Sequence, residues 1–125
     1  MDITPLIPAG RQLIQGYGNG GFVIAEVRHT ASVLVMQEQT VPLGVETIAD
    51  LTLKNLAPLE NAEPAVELLL IGCGTSMAFI EDDIRHGLKA WGIGVETMDA
   101  GAAARTYNVL LSEERRVATV LVAVE

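Results

Sequence analysis

The run Val66 to Ile71, apolar except for Glu67 and stopped by Gly72-Cys73-Gly74, constrains this chain more than any other segment. A stretch of that kind is what a strand buried on both faces needs, and such strands belong to sheets covered by helices, so it is the expected central strand. The residues that follow supply the covers. Glu81, Asp82 and Asp83 put negative charge where a helix N-terminus favours it, Ile84, Leu88 and Trp91 recur at i, i+4 and i+7, and Gly92 is the stop. Gly94 to Met98 predicts a short strand. Asp99 then predicts an N-cap, and Ala100, Ala103, Ala104, Tyr107 and Leu111 mark a second helix. Arg116 to Val124 closes the chain as a β-branched strand. Strand, helix, strand, helix, strand at this spacing predicts the α/β class.

The first half has the shorter period. Gly16, Gly18, Gly20 and Gly21 flank Tyr17 and Asn19 as a turn, after which Phe22 to Arg28 alternates as one strand. Ser32 to Met36 reads as a second strand, and the short connection predicts that the two pair antiparallel, adding a β layer. Thr40 to Leu43 fits an edge piece, because Pro42 cannot donate to a ladder. Leu51, Leu53, Leu56 and Leu59 are compatible with a short helix that Pro58 limits. With 125 residues and no linker or repeat, the expectation is a single domain over 1–125, with 1–9 as a pendant start.

Charge and composition remove several functions. Eight Lys and Arg against sixteen Asp and Glu leave a net charge of −8, which repels phosphate backbones and anionic lipid, and aromatics at 4% cannot build a base-stacking platform. Nucleic acid is not an expected partner. No run approaches the roughly 20 apolar residues of a membrane span, so no membrane insertion is expected. Met1 to Gly10 holds no basic residue, which fits no secretory or transit signal, and the lone Cys73 fits a reducing cytoplasm. With one Cys and two His in the chain, no metal and no cofactor is expected.

Three places could carry chemistry. The turn Gly72, Cys73, Gly74, Thr75 at the carboxyl end of the buried strand lets a ligand approach bare backbone N–H groups, or it merely reverses the chain. A dinucleotide reading with Glu96 on the ribose fails, because Met77 stands where the third glycine belongs, and no Gly-Lys-Ser or Gly-Lys-Thr occurs. On the second helix, Arg105, Thr106, Tyr107 and Asn108 follow the Asp99 cap. Arg105 and Asn108 share a face with Gly101, whereas Tyr107 lies over Ala103, Ala104 and Leu111. Arg105 beside a glycine turn would suit a carboxylate or phosphate, while Tyr107 and Asn108 would equally serve as a core ring and a backbone partner. Cys73 with His86 and Asp99 is a thinner candidate for thiol catalysis, since His86 lies opposite Ile84 and Leu88. Ser112 with Glu113 and Glu114 reads as a helix exit, and Asp82 with Asp83 as helix-terminal charge.

Taken together, Ser32-Val33-Leu34-Val35, Glu67 to Gly74, Gly92 to Asp99 and Ala103 to Leu110 resemble the domain of unknown function 498 family, which includes mitochondrial complex I assembly factor 3. The resemblance runs from about Gly16 to Val124. It implies a three-layer α/β fold in which helices flank a mixed central sheet and a small β layer from the N-terminal hairpin packs beside it. Against the family pattern, His29-Thr30-Ala31 replaces Tyr-x-Gly, Ala104 and Ala100 replace Cys and Thr, and no Trp stands near Leu43-Gly44. A required thiol at 104 is thereby excluded. The family has no assigned reaction, and its eukaryotic member acts through protein contacts.

The expected function is therefore a non-catalytic domain that binds a protein partner, in the assembly of membrane or respiratory complexes. The alternative is a small-molecule or anion site, enzymatic or not, between the Gly72–Thr75 turn and the Arg105–Asn108 helix, outside the carboxyl ends of the strands. A homodimer is compatible with the apolar content of 50% and with a final strand placed at an edge.

Overall fold

The computed structural model describes residues 10–75 and 78–123. In chain order its strands are β1 Ile14–Gly18, β2 Gly21–Ile24, β3 Val27–His29, β4 Val33–Val35, β5 Thr40–Pro42, β6 Leu68–Gly72, β7 Gly94–Met98 and β8 Val117–Leu121. Helix α1, Asp82–Ala90, joins β6 to β7, and α2, Ala100–Ser112, joins β7 to β8. Strands β1, β2 and β3 form one antiparallel sheet, and the other five form a mixed sheet in the order β5-β4-β8-β6-β7. In it β6 runs parallel to both β7 and β8, while β4 is antiparallel to β8 and β5.

With this order, the handedness of crossovers fixes where the helices lie. A right-handed β-α-β connection steps from β6 to β7 in one direction and from β7 back over β6 to β8 in the other, so the two helices land on opposite faces. On one face Leu69, Ile71, Ala118 and Val120 pack with Ile84 and Leu88 of α1. On the other, Leu70, Val117 and Leu121 meet Ala103, Ala104 and Tyr107 of α2, and Ile14, Phe22 and Ile24 bring the small sheet onto the same face. Each fully buried Leu or Ile contributes roughly 1.5–3 kcal/mol before entropy is charged against it. Gly72 is the point of closest approach: a Cβ there would lie 3.0 Å from both the Ala100 Cα and the Ala103 Cβ. The alanines of α2 and this glycine let the helix sit directly on β6.

Several sequence expectations need correction. The segment Phe22 to Arg28 is not one strand but two, folded back through Ala25 and Glu26, both at positive φ (48° and 69°). Two-residue turns of that kind usually carry Asn or Gly, so the alternation ran through the bend unmarked. Ser32 to Met36 contributes β4, which does not pair with the first hairpin; it lies in the large sheet between β5 and β8, and all three of its residues are buried. The glycine-rich stretch is mostly strand β1, and only Asn19 and Gly20 remain as the turn. The last strand, β8, is not an edge: it occupies the middle of the sheet with all five residues buried, and β6 sits beside it. That removes one of the two grounds for a homodimer. Leu51 to Leu59 forms a 3-10 segment over Leu53–Leu59, opened by a Thr52–Asn55 capping box and containing Pro58. The edge position of Pro42, the α1 and α2 boundaries and the Asp99 cap are as expected. The pendant start 1–9 lies outside the described residues.

Candidate functional site

The stripe Gly101, Arg105, Asn108 on α2 faces β1 and not the Gly72–Thr75 turn. Asn108 binds the β1 backbone twice, its Oδ1 accepting from Ile14 N–H at 2.9 Å and its Nδ2 donating to the Ile14 carbonyl at 2.7 Å. Arg105 donates to the Tyr17 hydroxyl at 3.1 Å, and that hydroxyl lies only 2.6 Å from where a Cβ on Gly101 would stand. These contacts dock the small sheet on the helix. Tyr107 lies one residue away on the neighbouring stripe; it is fully buried and donates to the Met36 carbonyl at 3.2 Å. Burial pushes its pKa well above the ordinary tyrosine value, with the positive charge of Arg11 acting in the opposite direction. Thr106 is partly buried on the same helix.

Asp99 caps α2, its Oδ1 accepting from Ala102 N–H at 2.8 Å. The next residue ties the helix to the turn, since Ala100 N–H donates to the Gly74 carbonyl at 2.8 Å. Cys73 is 8% exposed, and its thiol donates towards the Ile71 carbonyl at 3.4 Å and the Ala78 carbonyl at 3.6 Å. His86 is exposed on α1, so the structure does not assemble Cys73, His86 and Asp99 around a shared point through any hydrogen bond among the described residues. No group of three or more His, Cys, Asp or Glu among the described residues is placed to hold a metal ion.

Cys73, Gly74 and Thr75 do line a hollow, of about 390 Å³, whose other walls include Glu46, Thr47 and Ala123. A second hollow of about 390 Å³ shares Glu46, Thr47 and Ala123 and continues to Gly20, Thr30 and Ser32. Together they form a groove outside the carboxyl ends of β6 and β8. Glu46 is the one charged group among the described residues lining it, and Arg105 is not part of it.

One further feature escaped the sequence reading. Phe79, in the connection between β6 and α1, is 89% exposed and borders a hollow of about 230 Å³ walled by Ile48, Ala49, Leu51, Ile80 and Ile84, with Glu81 at its rim. The available signal was a lone aromatic between a glycine turn and three successive carboxylates.

The family described as "Protein of unknown function (DUF498/DUF598)" matches residues 14–122. The chain belongs to this family. An uncharacterized protein of Rhodobacter capsulatus is 39% identical over 114 residues, which cover 90% of this chain and 86% of that one. NADH dehydrogenase [ubiquinone] 1 alpha subcomplex assembly factor 3 of Xenopus tropicalis is 27% identical over 109 residues, 87% of this chain but 60% of that factor, so the chain spans less than two thirds of it. The crystal structure of a protein described as an outer membrane protein of Bartonella henselae superposes with a TM-score of 0.84 at 36% identity, covering 96% of this chain and 100% of the other. In this DUF498/DUF598 chain no helix among the described residues is long and apolar enough to cross a membrane.

Proposed function

We propose that the protein acts by binding a protein partner during the assembly of a respiratory or other membrane complex. The observation that carries this reading is the similarity to complex I assembly factor 3 over 87% of the chain. The site geometry supports it: Asp99, Tyr107 and Asn108, which could have furnished a reactive centre, hydrogen-bond the chain's own backbone. Tagged full-length protein, cross-linked in its native host and purified from solubilised membranes, is expected to retain subunits of such a complex. Deleting the gene is expected to lower the amount of the assembled complex on native gels. Unchanged complexes together with no retained subunit would overturn the reading.

A second reading rests on the groove beside Cys73-Gly74-Thr75, which occupies the place where open α/β sheets hold small molecules. With Glu46 on its wall, the groove favours a neutral or cationic ligand over the anion expected from Arg105. A ligand at about 100 times its Kd adds roughly 2.7 kcal/mol of stability, so a metabolite panel read by thermal shift tests it. A panel of amines and neutral metabolites that produces no shift would remove this reading.

A further inference from the structure

We infer that Phe79 and the hollow beside it form a docking surface for a partner segment carrying apolar side chains flanked by lysine or arginine. This rests on the protein-binding reading and adds to it the place and the chemistry of the contact. Phe79 is one of two phenylalanines in the chain, yet 89% of it is exposed, whereas Phe22 is fully buried. An aromatic ring left in water beside an aliphatic hollow of about 230 Å³ is the arrangement from which interface anchors are built.

The charge around it selects the occupant. Segments 46–51 and 78–84 together hold Glu46, Asp50, Glu81, Asp82 and Asp83 and no Lys or Arg. All five are exposed. The one ion pair among the described residues, Arg116 with Glu67, lies elsewhere. The nearest cations along the chain are Lys54, on the Leu53–Leu59 segment, and Arg85, next to Ile84 on α1. Glu81 stands on the rim of the hollow, and Asp50, Asp82 and Asp83 adjoin its lining residues along the chain, so the patch repels a second copy of a chain with net charge −8, repels anionic lipid, and attracts a basic segment.

The test uses the full chain and two synthetic amphipathic peptides, one of leucine and lysine and a twin with glutamate for lysine, with affinity read by titration calorimetry. The lysine peptide is expected to bind and the glutamate twin not to. Phe79→Ala should weaken binding at least about tenfold while leaving the unfolding midpoint in place. Glu81→Gln combined with Asp82→Asn should weaken it by about threefold and flatten its salt dependence. Equal binding by Phe79→Ala, or equal binding of the glutamate twin, would overturn the inference. So would Phe79-dependent retention on phosphatidylglycerol vesicles, or a dimer in sedimentation that Phe79→Ala abolishes. The two proposals fail separately: complex subunits retained equally by the native chain and Phe79→Ala would reject this surface and keep the assembly role.

Discussion

On the α2 face, Asn108, Tyr107 and Asp99 direct their polar atoms at the chain's own backbone and lie among buried alanines. On the α1 side of the sheet, Phe79 stands in water beside an aliphatic hollow, and Glu81 on its rim belongs to no ion pair among the described residues. The first region spends its chemistry on folding, and the second leaves it available. A polar or aromatic residue is thus not a functional candidate by type; what decides is whether the fold has already satisfied it. Substitutions on the α2 face should therefore act on stability and those around Phe79 on binding.

The sharpest break should come at Gly72. Even a Cβ there would press on the Ala100 backbone at 3.0 Å and the Val120 carbonyl at 3.1 Å, and backbone atoms cannot rotate away as a side-chain end can. Gly72→Val should therefore cost about 3 kcal/mol or more, the range of overpacked cores, measured by urea unfolding. A loss below about 1 kcal/mol would mean that α2 can lift off β6 and that the face is looser than the contacts imply.

Asn108→Ala should come next. It leaves the Ile14 N–H and C=O without their side-chain partner at a half-buried position, which predicts a loss of about 2 kcal/mol and faster amide exchange in β1. Exchange unchanged in β1 would show that the packing of Ile14, Phe22 and Ile24 and the Arg105–Tyr17 contact hold the small sheet without Asn108.

The C-terminal two-thirds was legible because its signals are local and redundant. The apolar run, the acidic helix start, the Asp99 cap and the alanine stripe each point to one element, and the structure has all of them. The N-terminal third was not, because the bend at Ala25-Glu26 uses residues that do not advertise a turn, and period-two alternation is the same on either side of it. Pairing partners are a tertiary property: the three buried residues of β4 read equally well as a hairpin arm or as an interior strand, and only the whole sheet decides. The candidate site shared that limit. Tyr107 as a core ring and Asn108 as a backbone partner could be read from helical spacing, whereas the partner of Arg105, Tyr17, lies 88 residues away in the chain.

Tyr107 offers a subtler test of the same face. Its hydroxyl stays protonated in the buried site at pH values where the unfolded chain releases the proton, so its contribution is complete below about pH 10 and drains as the pH rises beyond that. Tyr107→Phe loses the hydrogen bond to the Met36 carbonyl and should cost about 1 kcal/mol at neutral pH. Its stability should then fall less steeply than the native chain's above about pH 10, with denaturant midpoints measured across the alkaline range. Parallel alkaline limbs would mean that Tyr107 ionises as freely folded as unfolded, and that this core admits water.

The smallest effect on stability is expected from Phe79→Ala, and it is the other half of the comparison. Truncating a buried phenylalanine costs about 3–5 kcal/mol because packed neighbours lose their contacts. At 89% exposure there is almost nothing to lose, and the change should fall within about 0.5 kcal/mol. Phe22→Ala, in the fully buried position, is the matched control for the large cost. A Phe79→Ala loss above about 1 kcal/mol would show that the ring closes over Ile80 and Ile84 in solution and belongs to the α1 core. A loss within that margin would leave the ring, beside its aliphatic hollow and the Glu81 carboxylate, free to make its contact with the basic, apolar partner segment inferred above.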